Sequence, residues 1–436
     1  MTRAMKDSGV EWIGEIPENW ETVRTKNVAT LSNGNSIKDD EKSQYEDSTD
    51  AIPYISTKDI DSLHNIDYCN GMYVKNDDSN FKVAHKNSIL MCIEGGSAGI
   101  KKAKLKQDVC FVNKLCCFEP KSVDSDYLYY FLNSPKYEDH FKSLMSGLIG
   151  GVSISDLKNI NCTLPPLSEQ QKIADFLDEK CGAIDEIISK TEQSIEEYKK
   201  LKQSVITEAV TKGVRPNRPM QDSNIEWIGE IPQNWSVIKL RYLYRCQNGI
   251  SKSAEFFGKG FPFVSYKDVY NNDVLPETVS GLCDATEEEL NRYSVKQGDI
   301  FFTRTSETIE EIGLTSICLN SFENATFAGF LIRCRPYTTK LDFEYSKYYM
   351  ASSHLRLYFV KEMNLVTRAS LSQELLKDLQ VLIPPLDEQK EIADYLDEKC
   401  AEIDTLIEKK QQFLSEMANY RKSLIYEYVT GKKEVA

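Results

Sequence analysis

Apolar residues recur at intervals of four and three along two stretches of this chain, in the same register in both. The first seam reads Leu177, Cys181, Ile184, Ile188, Thr191, Ile195, Tyr198, Lys202, Val205 and Ala209. The second reads Leu396, Cys400, Ile403, Ile407, Lys410, Leu414, Met417, Arg421, Leu424 and Tyr428. A period of about 3.5 residues predicts helices that wind left-handedly around a partner helix. Two such helices in one chain most simply pair with each other. Lys202 and Arg421 hold equivalent seam positions, where a charge either sets the register or reaches out to solvent.

The match extends well beyond the seam. LPPLSEQQKIADFLDEK opens the first stretch and IPPLDEQKEIADYLDEK the second, with Pro165 answering Pro384 and Val210 answering Val429, always 219 residues apart (384 − 165). Each proline pair interrupts what precedes it. Ser168 and Asp387 then stand where an N-cap belongs, with Gln171 and Glu391 close behind, which predicts helices over 168–211 and 387–430. About 40 residues at the helical rise is on the order of 60 Å. A second repeat leads each half: DSGVEWIGEIPENW at 7–20 returns as DSNIEWIGEIPQNW at 222–235. All four tryptophans, Trp12, Trp20, Trp227 and Trp235, lie in these two copies. Their large area suits them to anchoring a leading segment against another element.

Between these units, roughly 20–163 and 235–382, aromatic and β-branched residues broken by Gly, Asn and Asp predict short strands with some helix. The two stretches agree only in outline. IPYISTKDI at 52–60 answers FPFVSYKDV at 261–269, Asn33-Gly34 answers Asn248-Gly249, and NSILMCIEGGSAGI answers GDIFFTRTSETIEEIG. The expected fold is α+β: two globular domains alternating with two long helices that pack on each other, the whole an internal repeat. The expected division is 1–163, 164–214, 215–382 and 383–436.

A length of 436 residues leaves room for a core in each globular domain. No run of 18 apolar residues and no apolar leader occurs, so no membrane span is expected, and the scattered cysteines suggest a reduced, cytoplasmic chain. Cys92, Cys110, Cys116, Cys117 and Cys334 lie in apolar, strand-like runs and read as buried thiols. There is no CxxC pair and no histidine at ligand spacing, so no metal site is expected. His64, His85, His140 and His354 stand apart and read as surface or loop positions. Gly95-Gly96-Ser97-Ala98-Gly99 lacks the Lys-Ser/Thr of a phosphate loop and reads as a turn between strands. No catalytic constellation emerges.

The alternation of a variable globular stretch, a PPLxEQ-led helix, a second variable stretch and a second such helix resembles the specificity subunit of type I restriction–modification systems. The resemblance covers essentially the whole chain and rests on the paired helix openings and the paired WIGEIPxNW segments. It implies two target-recognition domains, each reading one half of a split sequence in double-stranded DNA. It further implies that the helices pair as an antiparallel coiled coil, with pseudo-twofold symmetry, which spaces these domains and docks two modification (methyltransferase) subunits, through which restriction subunits join. S-adenosylmethionine and the chemistry belong to those partners, so this chain is expected to be non-catalytic and to bind no cofactor, no metal and no membrane.

The formal charge of −14 runs against a DNA-binding surface. Basic stretches nevertheless occur at 86–114 and 333–368, one in each globular domain. The DNA-contact candidates are Asn33, Asn35, Ser97, Lys101 and Lys102 in the first domain, and Arg304, Arg333 and Arg368 in the second. Arginine suits guanine, while Lys58 and Lys267, in the shared STKD and SYKD positions, suit phosphate. The reading from another class is a coiled-coil scaffold whose globular domains bind protein; a self-sufficient methyltransferase lacks its catalytic tetrapeptide here.

Overall fold

The computed structural model describes residues 3–61, 64–146, 150–306, 311–362 and 369–435. The chain divides into two compact units, and the boundary falls inside both long helices. One unit comprises Met1–Glu192 with Gln412–Ala436, the other Gln193–Gln411. Each therefore joins one globular stretch to a part of both helices, a different grouping from a linear series of domains and spacers.

The helices span Leu167–Lys212 and Leu386–Val429. All twenty seam residues named above are buried or half-buried. Both helices start one residue earlier than Ser168 and Asp387 predict. The carbonyls of Pro166 and Pro385 accept from the Gln170 and Gln389 amides (3.0 and 2.9 Å), which puts Ser168 and Asp387 inside the first turn and not at the cap. In the first unit Arg421 Nε lies 2.9 Å from Asp185 Oδ1, and the Phe176 and Tyr428 rings are 4.5 Å apart. In the second unit Lys202 Nζ lies 2.7 Å from Asp404 Oδ2, and the Lys410 ammonium sits 5.5 Å from the Tyr198 ring. Within each unit one residue number falls as its partner's rises, so the helix segments run antiparallel. The seam charges meet acidic partners on the opposite helix.

The first unit contains β1 (Glu21–Arg24), β2 (Ala29–Asn33), β3 (Ala51–Ile55), β4 (Ile89–Cys92), β5 (Lys102–Lys104), β6 (Val109–Phe111), β7 (Leu115–Pro120) and β8 (Asn161–Leu164). Strands β2, β7, β4 and β5 form an antiparallel sheet in that order. Strands β3 and β6 run parallel at the centre of a second sheet. Strand β1 pairs with β8, Arg24 opposite Asn161, so the chain enters and leaves the globular part at one place. The second unit repeats this topology with β9 (Ser236–Lys239), β10 (Tyr244–Asn248), β11 (Phe257–Val264), β12 (Ile300–Thr303), β13 (Thr315–Ile317), β14 (Thr326–Phe327), β15 (Leu331–Pro336) and β16 (Gln380–Ile383). Its antiparallel sheet is β10-β15-β12-β13, its parallel pair β11 with β14, and its closing pair β9 with β16. Two globular stretches with little sequence in common share one fold.

Cores explain why the repeats are where they are. The first unit packs Trp20, Tyr127, Phe131, Leu177 and Ile184 against Leu424, Ile425 and Val429; the second packs Trp235, Tyr345, Val210 and Ile206 against Ile392 and Leu396. Each core thus takes residues from both long helices. The Tyr127 hydroxyl donates to the Val429 carbonyl at 3.1 Å, and that of Tyr345 to the Val210 carbonyl at 3.3 Å.

The PPLxEQ opening is a joint between helix and globular stretch. Gln170, buried, donates to the Pro165 carbonyl (2.8 Å) and accepts from the amide of Asp124, the N-cap of the helix Ser125–Leu132. Gln389 does the same for the Pro384 carbonyl and for Asp342, the N-cap of the helix Phe343–Ala351. The glutamate beside each glutamine receives the tryptophan-bearing leader: Glu169 accepts from Trp20 Nε1 (3.0 Å) and from Arg3. Glu388, fully buried, pairs with Arg218, whose guanidinium lies 5.6 Å from the Trp235 ring. The two sequence repeats are halves of one clamp. One histidine leaves the surface: His354, buried in a helix, lies 4.9 Å from Trp227, while half-buried His140 stacks on Trp12 at 4.8 Å.

All twelve cysteines are free thiols, and Cys92, Cys110, Cys116, Cys117 and Cys334 are buried on strands. Among the described residues no helix is long and apolar enough to cross a membrane.

Candidate nucleic-acid interface

The shared STKD and SYKD sequences fold as capping boxes. The Asp59 carboxylate accepts from the Ser56 amide (2.7 Å) and that of Asp268 from the Ser265 amide (2.8 Å), closing the first turn of a short helix in each unit. Serine and aspartate are thereby used internally. Lys58 and Lys267, between them, stand exposed.

In the first unit the loop after β4 lies against this turn. Lys101 Nζ donates to the Thr57 carbonyl at 2.9 Å, and the Lys101 amide bonds back to Ser97 at 3.2 Å. Lys58, Ser97 and Lys101 therefore share one face. In the second unit the corresponding loop follows β12. Arg304 is held by its backbone, through Phe330 (3.0 Å) and Leu371 (2.7 Å), and its half-buried guanidinium has no hydrogen-bond partner among the described residues. Beyond it, Glu311 accepts from the hydroxyls of Tyr270 (3.0 Å) and Ser306, and these donors lower its pKa from the ordinary carboxylate value. Tyr270 closes the short helix that carries Lys267, and its ring stacks on Tyr266, 6.0 Å between centroids. Glu311 is thus bonded to the helix that carries Lys267 and, through its carbonyl and the Thr303 hydroxyl (2.8 Å), to the strand end before Arg304. The sequence reading passed over Tyr266, Tyr270, Ser306 and Glu311, although the tyrosine spacing of four in SYKDVY is the spacing of neighbours on a helix face.

Other candidates lie elsewhere. Lys102 is fully buried; its ammonium donates to the Leu132 carbonyl (2.7 Å) and to Glu138 (2.9 Å), and burial lowers its pKa despite that partner. Arg333 is buried too, bonded to Gln247 (2.6 Å) and the Ser294 carbonyl (2.5 Å), with burial holding it down to about 10. Neither charge reaches a ligand. Lys102 sits on the edge strand β5 and Arg333 on the central strand β15, both at inward positions that a count of charge along the chain does not register. Their neighbours are also internally paired, Lys104 with Asp126 and Arg335 with Asp299. Asn33 and Asn35 pin a crossing of the chain. Asn33 accepts from Lys82 Nζ (3.1 Å), while Asn35 accepts the Lys82 amide on its side chain (3.0 Å) and Tyr54 on its carbonyl (2.7 Å). Arg368 lies outside the described residues.

The long helices carry a second surface. Ile187 and Tyr420 in the first unit, and Leu201 and Leu406 in the second, are large apolar residues left exposed. Each directly precedes a seam residue, Ile188, Arg421, Lys202 and Ile407, and so flanks the seam on the same side. The repeat relates Ile187 to Leu406 and Leu201 to Tyr420.

Two copies of one fold, with different loops on a common face, match a known pattern. A family model described as the type I restriction modification DNA specificity domain matches twice, over residues 17–197 and 232–415. The chain belongs to the type I restriction–modification DNA specificity family. The type I restriction enzyme MjaVIII specificity subunit of Methanocaldococcus jannaschii is 27% identical over 428 residues, covering 96% of this chain and 94% of that one. The EcoKI specificity subunit of Escherichia coli K12 is 26% identical over 434 residues, covering 96% and 90%. In fold, the specificity chain is similar to a chain from a structure of type I R-M complex assembly (TM-score 0.72, 17% identity, covering 96% and 99%). It is also similar to the HsdS subunit of Thermoanaerobacter tengcongensis (TM-score 0.50, 18% identity, covering 96% and 98%). As a specificity subunit the chain is non-catalytic.

Proposed function

We propose that this specificity subunit reads a bipartite target in double-stranded DNA, one half with each unit, and recruits the enzymes that act there. The observation that carries the reading is the doubling itself: one strand topology twice, with Lys58 and Lys267 presented alike and the neighbouring loops different. Common lysines suit the common phosphate backbone, and differing loops suit differing bases. The two cross-helix ion pairs support a pseudo-twofold antiparallel coiled coil, because the repeat turns Asp185–Arg421 into Asp404–Lys202. On this reading the complex works in the cytoplasm. Its modification subunits hold S-adenosylmethionine, and restriction subunits join through them. Mapping methylated bases in a host carrying the chain and its modification subunit is the test. A split motif is expected, present only when both are expressed; methylation indifferent to sequence would favour a protein scaffold.

The exposed apolar residues beside the seam suit helices of the modification subunits, one docking site per unit. Replacing Leu201 and Leu406 together with glutamate is expected to reduce the partners bound per chain from two to one, with the melting temperature unchanged. Native mass spectrometry reads the count. Retention of two partners would remove this surface from the assembly.

A further inference from the structure

We propose that Glu311 is a specificity-determining residue of the second unit, accepting a hydrogen bond from the exocyclic amino group of a cytosine or adenine in its half-site. The assignment rests on the DNA-reading function proposed above. Glu311 lies beside the helix Tyr266–Tyr270, which also carries exposed Lys267. Its two oxygens each take one hydroxyl, from Tyr270 (3.0 Å) and from Ser306. An ionised carboxylate offers about four acceptor sites, and the donors among the described residues take two of them. No lysine or arginine pairs with it among the described residues, and its two donors keep it ionised.

Such a group is unsuited to the backbone of DNA, because a carboxylate repels phosphate. It suits a base edge. In the major groove cytosine N4 and adenine N6 present donors, whereas guanine O6 and N7 and thymine O4 present acceptors that a carboxylate repels. The two hydroxyls fix the plane of the carboxyl, as a selective contact requires, and the Tyr266 ring stacked on Tyr270 steadies one of them. In the first unit the loop after β4 is shorter, and a cation, Lys101, reaches back to the helix turn there.

The experiment uses the full chain with its modification subunit, and methylated motifs are mapped across a genome. Glu311→Ala is expected to relax one position of the second half-site, lowering discrimination there by about 5- to 150-fold, with the first half-site intact. Tyr270→Phe is expected to relax the same position less. Should the alanine variant abolish methylation, Glu311→Gln, of equal volume, decides: relaxation at one position supports the assignment. An unchanged motif, or loss of discrimination across the whole half-site, overturns it. A wild-type complex that marks no split motif overturns the DNA reading and this assignment with it.

Discussion

Exchange of residues 25–160 for the corresponding stretch of another specificity subunit changes one half of the methylated motif and leaves the other half as it was. The bounds follow from the pairing of β1 with β8: the chain enters at Arg24 and leaves at Asn161, directly opposite each other, so a graft between them closes on itself. The satellite cores around Ile55, Leu90 and Phe111 are contained within the exchanged stretch. What the graft must supply are the joints to the helices. These are an N-cap at Asp124 for Gln170, a tyrosine at Tyr127 for the Val429 carbonyl, and one at Tyr130 for Asp178 (2.6 Å). Methylome sequencing reads both half-sites in one measurement. If both changed together, the units would not read independently.

Valine at Gly34 or Gly249 unfolds the unit that carries it. A Cβ at Gly34 would lie 1.8 Å from the Phe111 carbonyl oxygen, and one at Gly249 2.2 Å from that of Ala328. Both obstacles are backbone. The flanking chain is fixed there by Asn35 N–H to Phe111 O and Ile250 N–H to Phe327 O, each 2.9 Å, which tie it to the parallel strand pair. Relief requires parting those strands, a loss on the order of 3–5 kcal/mol, at the severe end for a single substitution. Gly96 is the control. Nothing lies within 4 Å of a Cβ built there, and its φ is not positive, so Gly96→Ala is expected to change stability by less than about 0.5 kcal/mol. Denaturant unfolding measures all three. A Gly34→Val protein as stable as the parent would mean that the close approach is not held in solution.

The same glycines mark what a sequence can and cannot disclose. GGSAG draws the eye as a cluster, yet its middle glycine has open space around it, while a lone Asn-Gly repeated 215 residues later lies against a carbonyl in both units. The seams were legible because burial follows a short period that one helix fixes by itself. Tryptophan anchoring was legible because so large a ring is seldom left in water. Their partners were not: Glu169 and Glu388 meet Trp20 and Arg218 through contacts about 150 residues or more away in the chain. The arginines were available to a longer reading, since the leader repeat extends back to Arg3 and Arg218. Lys102 and Arg333 misled because charge was counted along the chain, whereas a strand turns alternate residues to opposite sides. Glu311 is invisible to any pattern; only the fold brings it to Tyr270.

The first unit takes its closing turns from Gln412–Ala436, and that fixes an order of events on the ribosome. Leu177, Cys181 and Ile184 emerge with more than half of the chain still to be translated, while Leu424, Ile425 and Val429, which cover them, come near its end. At about 5–20 residues per second the nascent first unit waits roughly 12–50 s with that flank uncovered. The half translated first is thus the half finished last. A chain broken off early leaves that apolar helix face open to chaperones and proteases until another helix covers it.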